Sequence, residues 1–245
     1  MIVTSVPINE VIKVNPVATL SEPLNLSFGL HKVSSDLQQN LSGPGLYLIR
    51  FDDEVIYLGK YQPIGGKILA DRWLRHLETI TLRGSRVGFG ASKNPVNKLQ
   101  AIFKQVSHPH LQRSLSDIFT NNSKQRVKDT GVVTGKNRIG FANENWDYLS
   151  SRSDNSILDR FSFNLLRLAG SFEQSEAKTI VSTLEKQALA NIKPRCNKEF
   201  SLNKHQTHRT NNTIDNIIES LRNIAEEHSV SFSHFTQLIG NNHSK

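Results

Sequence analysis

A chain of 245 residues, 37% hydrophobic, can build one large core or two small ones, and its single cysteine, Cys196, excludes a disulfide framework and a cysteine-based zinc site. It has no apolar run near about 18 residues and no signal-peptide pattern, which excludes a membrane span and points to a cytoplasmic protein, bacterial and nucleoid-associated. The formal net charge of +8 is unevenly placed: residues 60–140 hold 15 Lys+Arg against 4 Asp+Glu, the remainder 15 against 18. An excess confined to one third of the chain suits a polyanionic, phosphate-bearing partner, without naming DNA by itself.

In chain order, Val17–Leu20 and Leu24–Phe28 read as strands and His31–Leu41 as a short helix, which Ser42-Gly43-Pro44-Gly45 ends. Gly45–Phe51 and Val55–Lys60, separated by Asp52-Asp53-Glu54, read as a β-hairpin. If Phe51 and Val55 close it, residues whose numbers add to 106 face each other. Tyr47 and Tyr57 then share one face as diagonal neighbours, roughly 7–8 Å apart. Leu46, Leu48, Ile56 and Leu58 fill the other. Residues 61–67 form a loop leading to a helix at 69–80, where Leu69, Trp73, Leu77 and Ile80 make one apolar stripe. Arg72 and His76, one turn apart, lie at the margin of that stripe and face the groove beside the sheet.

Residues 84–90 form a basic, glycine-bearing loop, 97–104 an amphipathic basic helix, and 111–119 a further helix. His108 and His110 flank a proline with no matched ligands nearby, a poor basis for a metal site. A stretch rich in Lys, Arg, Asn and Gly follows at 121–138. After the run Arg160–Leu168, Ser175 caps a helix whose stripe is Ala177, Ile180, Val181, Leu184 and Ala188, with Glu185 at its edge. Pro194 and Asn197 follow. After a polar segment at 203–212, Thr213–Glu227 is an amphipathic helix for packing or dimerisation.

The order Gly45-Leu46-Tyr47, Tyr57-Leu58-Gly59-Lys60, Arg72, His76, Glu185 and Asn197 resembles the GIY-YIG nucleases, most closely over residues 43–82 and more loosely over 160–200. The resemblance implies a mixed α/β (α+β) fold, a small three-stranded antiparallel sheet flanked by helices. The organisation it suggests is an extension at 1–42, a nuclease domain at 43–200 with a basic DNA-binding insertion at about 82–155, and a helical extension at 201–245. It also implies hydrolysis of phosphodiester bonds with Glu185 as ligand for Mg²⁺, or Mn²⁺ in its place. Tyr47 and Tyr57 hold and activate the attacking water, with Tyr57 as general base and Tyr47 orienting, or the reverse. Arg72 receives phosphate oxygens, His76 hydrogen-bonds a tyrosine, Lys60 follows the second motif, and Asn197 braces the Glu185 side. A phenol is a weak base near its ordinary pKa of about 10, so a field from Lys60, Arg72 and the ion is needed.

The expected function is therefore a Mg²⁺-dependent endonuclease on double-stranded DNA, in particular a type II restriction enzyme, as a homodimer or alone and with or without a cognate DNA methyltransferase. The alternatives are a homing or repair-type nuclease of the same family, or a non-catalytic nucleic-acid-binding module. Lys67, Arg75, Arg83, Arg86, Lys93, Lys98, Lys104, Arg126 and Arg138 are the expected DNA contacts. Within 83–140, arginines suit guanine, Asn94, Asn97, Gln100, Asn121, Asn122 and Gln125 suit adenine, and lysines suit phosphate.

Overall fold

The computed structural model describes residues 2–17, 25–32, 34–63, 69–83, 87–88, 106–113, 127–128, 132–168, 170–197, 215, 217–219, 221 and 236–238. In chain order the elements are β1 (Ile2–Pro7), β2 (Ile12–Pro16), β3 (Leu26–Leu30), α1 (Ser35–Asn40), β4 (Gly45–Phe51), β5 (Glu54–Tyr61) and α2 (Ala70–Thr81). Then come β6 (Val87–Gly88), β7 (Val127–Lys128), α3 (Val132–Glu144), α4 (Trp146–Ser150), β8 (Phe161–Arg167), α5 (Gln174–Ile192) and β9 (Thr236–Leu238).

The hairpin of β4 and β5 has the anticipated register where it matters: Gly45 to Ile49 face Tyr61 to Tyr57, with numbers that add to 106. Nearer the turn the register shifts, so that Arg50 faces Val55 and Phe51 faces Glu54. Ile56 is the extra residue of a bulge. The turn shrinks to Asp52-Asp53, with Asp52 at φ 53° and tied to Arg160 through its backbone N–H and its carboxylate. One inserted residue reverses the facing of what precedes it. Ile56 therefore packs on the Tyr47 side, correcting its expected place beside Leu46, Leu48 and Leu58, and Val55 takes that place.

The sheet has five strands in the order β5-β4-β8-β1-β9, antiparallel through its first four, with β9 parallel to β1. The expected three strands are β5, β4 and β8. Two more extend them: β1 pairs along its whole length with β8, from Ile2 opposite Arg167 to Pro7 opposite Ser162, and β9 pairs with β1. β1 thus belongs to the central sheet and contributes to both cores, with Val3 on one side and Val6 on the other. Of the expected strand at 17–20 only Val17 is among the described residues; β2, just before it, pairs with β3, which covers most of the expected strand at 24–28.

Each face of the sheet carries its own core. On the tyrosine face, α2 buries Trp73, Leu77 and Ile80, with Trp73 stacked on Phe163 at a centroid distance of 4.1 Å. α3 and α4 close this side through Ile139, Phe141, Ala142, Trp146 and Leu149. On the opposite face, α5 buries Ala177, Val181, Leu184, Ala188, Leu189 and Ile192, joined by Ile217, Ile218 and Leu221. Glu173, in extended backbone, occupies the cap position of α5, and Ser175 sits inside the first turn. Among the described residues no helix is long and apolar enough to cross a membrane.

Candidate active site

The two motif glycines have concrete steric reasons. A Cβ on Gly45 would lie 2.2 Å from the Leu166 carbonyl oxygen, so the close approach of β4 to β8 excludes a side chain there. A Cβ on Gly59 would lie 2.7 Å from both Cζ and Oη of Tyr47. The Tyr47 ring lies across the strand that carries Tyr57, and only glycine leaves room for it.

Tyr47, Tyr57 and His76 form one aromatic group. Their ring centroids are 5.9 Å apart for the tyrosines, 5.6 Å for Tyr47 and His76, and 4.2 Å for Tyr57 and His76. The expected diagonal neighbours across the hairpin do meet, and α2 delivers His76 onto them. His76 Nε2 is 2.7 Å from the Tyr47 hydroxyl. Its other nitrogen, Nδ1, accepts from Arg138 of α3 at 3.0 Å. The Arg138 guanidinium also donates to Thr79 Oγ1 and stands 5.3 Å from the centre of the Tyr57 ring.

Burial dominates the electrostatics here. It pushes the Tyr47 phenol well above its ordinary range, and the neighbouring Tyr57 adds to that effect. Tyr57 is raised as well, chiefly by burial and further by Glu185, while the Arg138 charge, the neighbouring Tyr47 and Arg72 oppose the rise. Tyr57 is thus the readier of the two to ionise. His76 is held well below its ordinary value by burial and then by Arg138, Arg72 and Arg75, so it stays neutral near pH 7. Arg72 and Arg75 are exposed on α2, and the Arg72 side chain makes no hydrogen bond or ion pair among the described residues. Its guanidinium is available to an anion over the tyrosines.

Glu185, near the middle of α5, meets the outer edge of β5. One carboxylate oxygen accepts from the Lys60 backbone N–H at 3.1 Å, and the other is 3.1 Å from Lys60 Nζ. Asn197 takes the next stretch of that edge. Its Oδ1 accepts from Leu58 N at 2.9 Å and its Nδ2 donates to Leu58 O at 2.7 Å, while Cys196 N donates to Ile56 O at 2.8 Å. The open edge of β5 is therefore covered at Ile56, Leu58 and Lys60 in turn. Asn197 braces the strand two residues from the point that Glu185 grips. Burial drives the Cys196 thiol up to about 12, which leaves it unreactive.

The structure thus gathers Tyr47, Tyr57, Lys60, Arg72, His76, Glu185 and Asn197 around one strand, β5. Two expected DNA contacts face inward instead. Arg83 has 0% exposure and donates to the Leu149 carbonyl and to Asn25 Oδ1, so it binds α4 to the β2–β3 segment. Arg138, 5% exposed, is spent on His76 and Thr79. Lys67, Arg86, Lys93, Lys98, Lys104 and Arg126 lie outside the described residues, as do the amides proposed for adenine. The role of Arg138 escaped the sequence because residues 121–138 read only as a stretch rich in Lys, Arg, Asn and Gly. The stripe Ile139, Ala142, Trp146 and Leu149, at steps of three and four, was the signal for a helical segment there.

Glu185 is one carboxylate with its side chain 21% exposed, and no group of three or more His, Cys, Asp or Glu gathers for a metal among the described residues. A single hard oxygen donor fits Mg²⁺, which keeps most of its water and takes phosphate oxygens as ligands. Comparison of the chain with protein-family models, curated proteins and solved structures returns no match.

Proposed function

We propose that this protein is a Mg²⁺-dependent endonuclease on double-stranded DNA, built on the GIY-YIG pattern and acting as a type II restriction enzyme in the cytoplasm. The observation that carries the reading is the convergence of four distant segments on β5. Tyr47 and Tyr57 pack against His76 on one side of the strand, and Glu185 with Asn197 lines its outer edge. A purely structural hairpin has no need of a carboxylate 21% exposed and an exposed arginine side chain, unpaired among the described residues, beside one buried and one partly buried phenol.

In this reading the scissile phosphate lies over the tyrosines, where Arg72 pairs with its non-bridging oxygens in a partly dehydrated groove. Tyr57 accepts the proton of the attacking water, and Tyr47 holds that water in line. His76 fixes Tyr47 through the 2.7 Å bond. Glu185, now paired with Lys60 Nζ, would hold the ion, and Lys60 would be left to meet phosphate. A bound Mg²⁺ supplies charge neutralisation at the phosphate and relief for the departing 3′ oxygen. Asn197 keeps β5 at the distance from α5 that this geometry requires.

The test is incubation of a mixed-sequence plasmid with the purified protein in Mg²⁺ and in excess chelator. Discrete bands in Mg²⁺ alone are expected of a restriction enzyme. A smear would leave a nonspecific nuclease, and intact plasmid despite tight binding would leave a non-catalytic module.

A further inference from the structure

The structure assigns Lys60 as a resident cation that holds two oxygens, Glu185 Oε2 and Ser182 Oγ, shut against a metal ion, and Ser182 as the second oxygen of that cation site. The part that DNA plays here rests on the nuclease reading; the competition for the two oxygens is a property of the folded chain alone.

Glu185 uses its two oxygens differently. Oε1 accepts from the Lys60 backbone N–H at 3.1 Å, a bond that covers the edge of β5 and fixes the carboxylate. Oε2 faces a cation, the Lys60 ammonium, 3.1 Å away. The same Nζ donates to Ser182 Oγ at 3.4 Å. Ser182 precedes Glu185 by three residues on α5, so the two side chains are neighbours on one face of the helix. Cover of the strand edge accounts for the backbone bond alone. It does not require the lysine stem to fold back from an exposed edge and set its charge between a carboxylate and a hydroxyl. One positive group held by two oxygens a turn apart is a pattern that a hard cation also takes, with water completing its shell.

Lysine and a divalent ion cannot use Oε2 together. An ammonium has donors only, and beside the ion it would meet a double charge of its own sign. Lys60 must therefore swing out before an ion can enter. Little opposes that movement. The Lys60 side chain is 43% exposed and that of Glu185 21%, and an ion pair so open to water shifts an equilibrium by no more than several-fold. With Nζ gone, Ser182 offers its hydroxyl oxygen to the ion or to one of the waters the ion keeps. The DNA-free protein is thus set for weak metal binding. A phosphate that draws Lys60 away tightens the hold on the ion, and by linkage a bound ion frees Lys60 for phosphate.

The experiment titrates Mn²⁺ into full-length protein without DNA and follows the free ion by electron paramagnetic resonance. The expected result is one Mn²⁺ bound about 3–10-fold more tightly by Lys60→Met than by wild type. Lys186→Met removes the neighbouring exposed charge of α5 as a control and should change the affinity by less than about 2-fold. Adding Ser182→Ala to Lys60→Met should weaken binding by about 3-fold or more, and adding Glu185→Gln should abolish it. Equal affinities for wild type and Lys60→Met, or the same gain in Lys186→Met, overturn the resident cation. An affinity unmoved by Ser182→Ala overturns the place of that hydroxyl in the site. Should the Glu185→Gln variant not fold, the remaining proteins still decide both points. A gain in Lys60→Met in a protein that cuts no DNA would support the competition and overturn the nuclease reading. DNA cut in Mg²⁺ by a protein whose Mn²⁺ affinity ignores Lys60 would do the reverse.

Discussion

Gly59→Ala puts the hairpin and the site under one perturbation. The new Cβ would stand 2.7 Å from Tyr47 Cζ and Oη, about 0.8 Å short of ordinary contact. The ring cannot retreat freely, because Tyr47 is 3% exposed and its hydroxyl is bonded to His76, which Arg138 holds from behind. Retreat loses that hydrogen bond, about 1 kcal/mol, and overpacks the face, about 1–3 kcal/mol, for a total destabilisation of about 2–4 kcal/mol. Urea denaturation of Gly59→Ala, Tyr47→Ala and the double variant measures it. Tyr47→Ala removes the atoms that the new Cβ would strike, so the double variant should be more stable than the sum of the singles by about 1–3 kcal/mol. Additivity within about 0.5 kcal/mol would refute the steric account of this glycine.

Asn197→Ala leaves both backbone groups of buried Leu58 without their partner and should cost about 2–4 kcal/mol, with hydrogen exchange at the Leu58 amide accelerating more than elsewhere in β5. His76 is depressed in the folded state, so its contribution is complete above about pH 6.5 and declines as pH falls towards the depressed value, by up to about 1.4 kcal/mol per pH unit. The stability difference between wild type and His76→Gln, followed from pH 7 to pH 5, should show that slope. Arg83→Ala removes an enclosed guanidinium and should lower stability by about 2–4 kcal/mol while the salt dependence of DNA binding stays the same. A flatter salt slope would return Arg83 to the DNA surface.

What was legible in the sequence is what local periodicity writes down. Alternation in 45–51 and 55–60 carried the register that sets Tyr47 beside Tyr57, and spacings of three and four placed Trp73 and Leu77 inward with His76 at the margin. The bulge at Ile56 was not legible, because one extra residue leaves no trace in an apolar run such as Val55-Ile56. Nor was β1, whose place depends on pairing with a strand some 160 residues later, a matter of tertiary contact rather than pattern. Arg83 and Arg138 show a further limit. Composition counts a buried arginine as surface charge, and only the carbonyl, amide, hydroxyl and imidazole partners in the fold reveal that it faces inward. On the acidic side, Glu185 reached β5 from a helix whose stripe foretold its edge position but not the strand it would meet.

The central claim is that β5 carries a hydrolytic centre, with binding of DNA separable from its cutting. The most direct measurement is single-turnover cleavage of a plasmid in Mg²⁺ by wild type, Glu185→Ala and Tyr57→Phe, with DNA affinity of each measured in parallel in Ca²⁺. The account predicts that both variants bind within a few-fold of wild type while cutting falls on the order of 10²-fold or more, since each loses a contact made in the transition state. Cleavage by Glu185→Ala at the wild-type rate would contradict it.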